Sequence, residues 1–334
     1  MQRKVSEIVR KGVLGDSLSG DELAVLFGVP LFSMESMMIL SAARQKSEKA
    51  SGGMAEVHGQ VGLNIAPCVK NCKFCAFATC NKVFDASAEL SLGEAKSRAL
   101  DFESTGANAI FLMTTAQYSF DKYIEFAQEI RRVLKRDTLL IANIGDLNKG
   151  RARKLKETGF AGIYHALRLG EGKDTLLKPE ARLRTFQYAK EEGLKLGTCV
   201  EPVGTEHSVG ELVEKMLITM AAEPVYSGAA RRIPILNTEL AGYGIVSETR
   251  MAHILAVVRL ALSYDIGGNC THEPNVIGAA AGANLFWAES GSNPRDTKER
   301  TETQRGMSVE NCRKIFEEAE WKVLEGPSRF YGQG

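Results

Sequence analysis

The sequence predicts an α/β fold: a closed (βα)8 barrel of the TIM type that carries an N-terminal helical extension. Short apolar runs alternate eight times with amphipathic stretches, and this alternation is typical of right-handed βαβ units around a parallel sheet. The chain has 334 residues, of which 44% are hydrophobic and 25% charged, and this size suits one large barrel. A doubly wound open sheet is the alternative architecture.

The first 58 residues are predicted to form the helical extension. Ser19 stands before Asp21 and Glu22 as an N-cap, and Ser51-Gly52-Gly53 ends the helical pattern. Residues 59–334 are predicted to form the barrel and a last helix, with no linker dividing them. The predicted strands span residues 61–67, 108–114, 138–145, 161–167, 194–201, 231–237, 264–270 and 283–289. The predicted barrel helices lie between these strands, and the last helix spans residues 308–325.

Charge and hydropathy exclude several classes of function. The net charge is +1 and no long basic run occurs, so neither a nucleic acid nor a membrane surface is expected as a partner. No apolar stretch is long enough to span a bilayer, and the first residues lack the pattern of a signal peptide. These features predict a cytoplasmic protein.

Cysteines carry the most specific signal in the sequence. Cys68, Cys72 and Cys75 follow the first predicted strand with C-x3-C-x2-C spacing. Three thiolates on one loop can bind three irons of a [4Fe–4S] cluster and leave the fourth iron open. S-adenosylmethionine can chelate such an iron through its amino and carboxylate groups, and one electron from the cluster then releases a 5′-deoxyadenosyl radical. Zinc is the rival interpretation, but a structural zinc site normally has four ligands, and a second C-x2-C pair is missing.

This loop resembles that of the radical S-adenosylmethionine superfamily, and the chain is similar to the biotin synthase-like branch over nearly its full length. The segments LSGDELAVLF, Ala281-Gly282-Ala283-Asn284 and Asn293-Pro294 have counterparts in that branch. The resemblance implies a (βα)8 fold and a [4Fe–4S] cluster with S-adenosylmethionine as cofactor. It also implies that Cys68, Cys72 and Cys75 are the catalytic metal ligands.

The resemblance further implies contacts to the cofactor. Phe74 would lie near the adenine, and Thr114 with Thr115 would contact the methionine amino group. Arg182 would pair with the methionine carboxylate, for which a planar guanidinium is well suited. Arg182 could also be a solvated helix residue. The remaining predicted contacts are Glu171 to the ribose or amino group, and Val200 and Glu206 alongside the adenine, although Glu206 could simply favour the start of the next helix.

Three further cysteines raise the question of a second iron–sulfur cluster. Cys80, Cys199 and Cys270 could bind an auxiliary cluster at the barrel mouth, with His272 as a fourth ligand, or all three could be buried free thiols. The positions that carry the second-cluster cysteines in biotin synthase are apolar or small here. The asparagine-rich substrate motif of biotin synthase is also absent. These departures favour a relative such as the split-type lipoyl synthases, which insert sulfur into an octanoyl chain on a carrier protein.

A branch member without sulfur transfer is the alternative function, for example one of the methylornithine synthase or hydrogenase-maturation type. His165 and Arg168 favour it because a polar substrate needs fixed charges, and Asn237 and His272 complete the predicted substrate contacts. An iron–sulfur scaffold without enzyme activity is the third interpretation. The expected partners are an acyl or small-molecule substrate, a flavodoxin or ferredoxin as electron donor, and a second radical S-adenosylmethionine protein.

Overall fold

The structure is a computed structural model that describes residues 2–332. The strands are β1 (Met54–Gly62), β2 (Asn64–Ile65), β3 (Ala88–Glu89), β4 (Ala109–Met113), β5 (Leu140–Asn143), β6 (Phe160–Tyr164), β7 (Lys195–Gly197), β8 (Val200–Val203), β9 (Tyr226–Arg231), β10 (Gly268–Cys270), β11 (Leu285–Gly291) and β12 (Lys322–Val323). The helices are α1 (Gln2–Leu14), α2 (Gly20–Phe27), α3 (Met34–Ser51), α4 (Leu92–Ser104), α5 (Phe120–Val133), α6 (Lys149–Thr158), α7 (Pro179–Glu191), α8 (Val209–Ala222), α9 (Glu248–Ala261), α10 (Val276–Ala280) and α11 (Val309–Glu318).

Eight parallel strands close into a barrel, which confirms the predicted fold class. The order is β1, β4, β5, β6, β7, β9, β10 and β11, and β11 pairs again with β1. Every residue of β4 is buried because helices cover the outer face of the sheet and side chains fill the inner face. The loops after the strands therefore share one rim, where the sites of such barrels lie.

Capping residues fix where the surrounding helices begin. Ser19 accepts a hydrogen bond from the amide of Glu22, whose carboxylate in turn accepts one from the amide of Ser19, so the predicted N-cap of α2 is confirmed. Capping boxes of the same kind begin α4 and α8. Of these helices, α4 and α8 start directly after a rim loop, and their capping boxes fix where those loops end.

The C-terminal segment closes the other end of the barrel. Phe330 and Tyr331 are buried against Tyr226, and the Tyr331 and Tyr226 rings lie 5.7 Å apart. A methyl group at Gly162 would come within 2.5 Å of the Tyr331 ring and 2.2 Å of a strand carbonyl, so only glycine fits there. Within residues 2–332, the cavity of the barrel therefore lies at the rim formed by the carboxyl ends of its strands.

The N-terminal helices pack on the outside of the barrel. α3 contacts α9, and the two share one apolar cluster with α1, α2 and α8. The first barrel strand begins at Met54, within the range predicted as helical extension. The division into an extension and a barrel stays a prediction, since these helices form part of the packing of the barrel wall.

The sixth strand was predicted at the wrong position in the sequence. The sequence placed it at residues 231–237, whereas β9 spans Tyr226–Arg231. Pro234 lacks an amide to donate to a sheet, and Asn237 lies beyond the strand in an exposed loop with φ of 70°. Small buried residues in Tyr226–Arg231 form the strand instead, and an apolar-run criterion misses them.

No helix within residues 2–332 is both long and apolar enough to cross a membrane.

Candidate active site

The three cysteines of the C-x3-C-x2-C spacing lie on the loop that follows β2. The amide of Cys68 donates to the carbonyl of Phe77 at 2.6 Å and closes the loop at its base. The side-chain amide of Asn81 donates to the carbonyls of Cys72 and Cys75 at 3.1 and 2.8 Å. These backbone groups are paired within the loop, and the three thiols line the cavity in the barrel mouth.

Two other rim loops hold the cysteine loop in place. The amide of Lys73 donates to the carbonyl of Asp174 at 2.9 Å, in the loop after β6. The amide of Ala76 donates to the carbonyl of Pro294 at 2.9 Å, in the segment after β11. The barrel rim therefore sets the position of the thiols.

Burial keeps the thiols of Cys72 and Cys75 protonated in the absence of a metal. It raises the pKa of Cys72 to about 11, although the nearby cation of Arg168 acts in the opposite direction. Burial likewise raises the pKa of Cys75 well above that of a free thiol. Since iron binds thiolate, loading of this loop must release protons.

The end of β4 forms a neighbouring wall of the cavity. The side chain of Asn64 donates to the Thr115 hydroxyl at 3.1 Å and accepts from the Thr115 amide at 3.0 Å. Thr114 is buried, and its Oγ1 has no hydrogen-bond partner among the described residues. Both threonines and Phe74 line the cavity. The unpaired Thr114 hydroxyl can accept a hydrogen bond from a ligand that carries an amino group.

Arg182 presents a buried guanidinium to the same cavity. It comes from α7, and its side chain is only 4% exposed. Nε donates to Glu171 at 3.0 Å, and Nη1 donates to Asp146 at 3.0 Å. The Nε2 atom of His165 lies 3.1 Å from both Asp146 and Arg182. The interpretation of Arg182 as a solvated helix residue is therefore wrong.

Glu171 does not reach the cavity, which corrects its predicted contact with the cofactor. Its two carboxylate oxygens bind Arg182 and the backbone amide of Arg168, at 3.0 and 2.9 Å. Its side chain is 0% exposed. Glu171 instead orients Arg182 from behind, and the sequence could not distinguish these two roles of a carboxylate.

Val200 and Glu206 are also placed away from the cavity. The side chain of Val200 packs into the apolar cluster between β8 and the outer helices, whereas the next residue, Glu201, lines the cavity. Glu206 binds Arg232 through both of its carboxylate oxygens. Arg232 lines the cavity, so Glu206 acts on it only through this arginine.

Cys199 and Cys270 meet inside the barrel behind His272. The ligand atoms of these three residues all lie within 4.8 Å of one another. The two sulfurs are paired as a disulfide, with Cα atoms 7.4 Å apart, which is wider than the separation of about 4.4–6.8 Å usual for a disulfide. Burial lowers the pKa of His272 to about 4, so its imidazole is neutral at neutral pH. Once the disulfide is reduced, a neutral imidazole beside two thiols is a suitable metal ligand set.

Cys80 does not join this pair, which corrects the predicted three-cysteine set. It lies exposed in the short turn Thr79–Asn81, where its amide donates to the side chain of Asn71 at 3.1 Å. It belongs to the outer side of the cysteine loop.

Three of the four predicted substrate residues line the cavity. Arg168 binds Glu201 at 3.2 Å, and the His272 ring packs at a tilt against Trp287 with ring centroids 4.7 Å apart. His165 lines the cavity but is bonded to the Arg182 group. Asn237 is exposed in its loop and does not line the cavity, because the strand that was expected to carry it ends at residue 231.

A hydrogen-bonded row at the cavity wall was missed by sequence reasoning. Asn143 donates to Gln60 at 3.0 Å, Gln60 donates to Glu289 at 3.2 Å, and Glu289 binds Arg295 at 2.9 Å. Gln60 stands alone as a polar residue near the end of β1, and this isolated position was the available signal. The row adds two paired charges to the cavity.

Comparison with known proteins agrees with this geometry. No protein-family model matches the chain. Biotin synthase of Citrifermentans bemidjiense is 23% identical over 270 residues, which cover 78% of this chain and 81% of that protein. Biotin synthase of Clostridioides difficile is 24% identical over 233 residues, 67% of this chain and 71% of that protein. These similarities support a place for the chain in the biotin synthase-like branch of the radical S-adenosylmethionine superfamily.

Solved structures of other proteins have the same fold as this chain. Methylornithine synthase (PylB) superposes with a TM-score of 0.80 at 15% identity, over 97% of this chain and 98% of that one. The FeFe-hydrogenase maturase HydG from Carboxydothermus hydrogenoformans also has a TM-score of 0.80, at 18% identity, over 99% of this chain and 81% of that one.

Similarity to the biotin synthases implies a [4Fe–4S] cluster with S-adenosylmethionine, and the residues at the rim fit this pair. Three thiols lie on one loop, the unpaired Thr114 hydroxyl can accept from an amino group, and Arg182 can bind a carboxylate. The roles of the individual residues stay predictions.

Proposed function

We propose that this radical S-adenosylmethionine enzyme inserts sulfur into an unactivated C–H bond, and that its substrate is an octanoyl chain on a carrier protein. When bound, the cluster and S-adenosylmethionine supply the one-electron chemistry that breaks such a bond. The chain itself must place the substrate, exclude water and hold the source of sulfur.

The observation that carries this proposal is the group formed by the buried Cys199 and Cys270 and the half-buried His272, which lines the cavity. Two thiols and a neutral imidazole offer three ligands to an auxiliary iron–sulfur cluster, which would supply sulfide. Cys199 comes from the segment after β7 and Cys270 from the end of β10, so two barrel strands bring these thiols together. A protein that only cleaved S-adenosylmethionine would not need them.

The barrel itself provides the exclusion of water. Phe330 and Tyr331 close the end opposite the rim, and Tyr164 and Trp287 pack around His272. A substrate can therefore enter only past the cysteine loop. An acyl chain held on a carrier protein is suited to this single opening, because the carrier can remain outside. A flavodoxin or ferredoxin as electron donor and a second radical S-adenosylmethionine protein are the further partners proposed.

Iron and sulfide analysis after anaerobic reconstitution tests the auxiliary cluster. The variant in which Cys68, Cys72 and Cys75 are all replaced by alanine should retain about four irons. The matched variant that also lacks Cys199 and Cys270 should retain none. If the first variant already contains no iron, the sulfur-insertion proposal fails.

Rearrangement of a small polar substrate is the second candidate, and the polar row at the cavity wall favours it. A hydrocarbon chain gains nothing from the paired charges of Glu289 and Arg295, whereas a substrate with carboxylate and amino groups can bind to them. Turnover of an octanoyl-carrier substrate that Cys270→Ala loses and Arg295→Met keeps supports sulfur insertion. Turnover of a small substrate with carboxylate and amino groups that Arg295→Met loses and Cys270→Ala keeps supports the rearrangement.

A further inference from the structure

Arg182 is held by two carboxylates whose surroundings differ. Glu171 is 0% exposed, and its second oxygen is engaged by the amide of Arg168. The side chain of Asp146 is 27% exposed. Its Oδ1 atom alone lies within hydrogen-bond distance of both Arg182 Nη1, at 3.0 Å, and His165 Nε2, at 3.1 Å. Glu171 is therefore tied on both oxygens, whereas Asp146 contributes one acceptor and a negative charge.

The backbone fixes the position of Asp146. The amide of Leu147 donates to the Thr185 hydroxyl on α7 at 3.0 Å, which links the Asp146 loop to the helix that carries Arg182. On the other side, a methyl group at Gly145 would come within 2.3 Å of the carbonyl of Ala116. The loop is packed between two elements, so its carboxylate stays beside the guanidinium.

The charges in this group do not balance. Burial, aided by the cation of Arg182, lowers the pKa of His165 to about 4, so its imidazole is neutral at neutral pH. Two carboxylates thus contact one guanidinium, and the other nearby cation, Arg168 at 3.9 Å from Glu171, is itself paired with Glu201 at 3.2 Å. Arg182 lines the cavity while Asp146 and Glu171 do not, and no hydrogen bond engages its Nη2 atom within the described residues. A ligand carboxylate must bind at this remaining edge.

We infer that Asp146 is a positioning residue that acts as a fixed counter-anion on Arg182 and lowers the affinity of this site for a ligand carboxylate. The inference rests on the proposed function, in which Arg182 receives the carboxylate of S-adenosylmethionine. Methionine, the cleaved product, carries the same carboxylate. The negative charge of Asp146 repels the carboxylate of either molecule, and the lower affinity allows the product methionine to leave between turnovers.

Asp146→Asn isolates the charge. The amide keeps the oxygen that accepts from Arg182 and places its NH₂ group where the more exposed oxygen was. For two charges about 6 Å apart at an effective dielectric constant of about 40, removal of the repulsion tightens binding by roughly tenfold. Glu171→Gln is the matched control. Both oxygens of Glu171 accept hydrogen bonds, so the NH₂ group of glutamine must face an N–H donor of Arg182 or of Arg168 in a buried environment. This variant should bind S-adenosylmethionine more weakly.

Calorimetry on the reconstituted, unreduced enzyme measures the affinity for each ligand without turnover. The probes are S-adenosylmethionine and its decarboxylated analogue, which retains the amine and the adenosine. Asp146→Asn should bind S-adenosylmethionine about three- to tenfold more tightly and the analogue unchanged. Equal or weaker binding of S-adenosylmethionine, or an equal change for both probes, overturns the inference.

A third variant separates this inference from the proposed function. In Arg182→Met, the preference of the wild type for S-adenosylmethionine over the analogue should disappear. If that preference remains, Arg182 is not the carboxylate site, and the assignment of the cofactor site fails together with the inference. If the preference disappears in Arg182→Met but Asp146→Asn binds like the wild type, only the role of Asp146 is refuted.

Discussion

Replacement of Arg182 by methionine should destabilise the protein mainly through the carboxylate that it leaves behind. The side chains of Arg182 and Glu171 are 4% and 0% exposed and lie 3.0 Å apart, so water cannot solvate Glu171 once the guanidinium is gone. Removing one partner of such a pair costs about 3–5 kcal/mol of the free energy of unfolding. Arg168 lies 3.9 Å from Glu171 and compensates in part, so a value near the lower limit, about 3 kcal/mol, is expected.

The double variant Glu171→Gln with Arg182→Met should recover part of this loss. It leaves a neutral amide whose unmet hydrogen bond costs about 1–2 kcal/mol in place of a buried charge. Asp146 contributes little to either variant because its carboxylate is partly solvated. Both variants should still lack binding that depends on the ligand carboxylate, which separates stability from recognition.

Urea unfolding of the cluster-free proteins, followed by circular dichroism under anaerobic conditions, gives these values. The single variant should unfold at the lowest urea concentration, and the double variant should lie between it and the wild type. Equal destabilisation of the two variants would refute the account, because the buried charge would then not be the cause.

Three further predictions concern other parts of the chain. Cys270→Ala should stop product formation while sparing cleavage of S-adenosylmethionine, measured as 5′-deoxyadenosine; equal loss of both would point to a folding defect. Burial lowers the pKa of Lys46 to about 7, so between pH 7 and 10 the unfolded chain holds a proton that the folded chain has released. The free energy of unfolding should therefore rise with pH in this window, and Lys46→Met should abolish that rise in urea titrations at several pH values. Gly162→Ala should destabilise by about 1–3 kcal/mol, since its methyl group would meet a carbonyl and the Tyr331 ring, and an unchanged unfolding midpoint would contradict the packing described here.

The fold and the cysteine loop could be predicted because each has a local pattern. Alternating apolar runs and helical stretches specify a parallel barrel, and three cysteines at fixed spacing specify their loop after the first strand. Such patterns depend on residues close together in sequence. The sixth strand was not located correctly, because its buried residues are small and the apolar run after it contains a proline.

The site could be predicted only in part, because the role of each residue depends on the direction in which its side chain points. Cys80 is near the cluster cysteines in sequence, yet its short turn points it to solvent, whereas Cys199 and Cys270 meet although 71 residues separate them. Glu171 was identified as a functional carboxylate, but no spacing indicates whether it contacts a ligand or the arginine that does. Asp146 gave no signal at all, since its partners come from the loop after β6 and from α7.

The central claim is that Cys68, Cys72 and Cys75 hold the cluster at which S-adenosylmethionine is cleaved. The most direct test measures 5′-deoxyadenosine from the anaerobically reconstituted protein with dithionite as reductant, for the wild type and for Cys72→Ala. The wild type should form 5′-deoxyadenosine and Cys72→Ala should form none. Equal amounts from both proteins, or none from a wild type that contains its iron, would contradict the account.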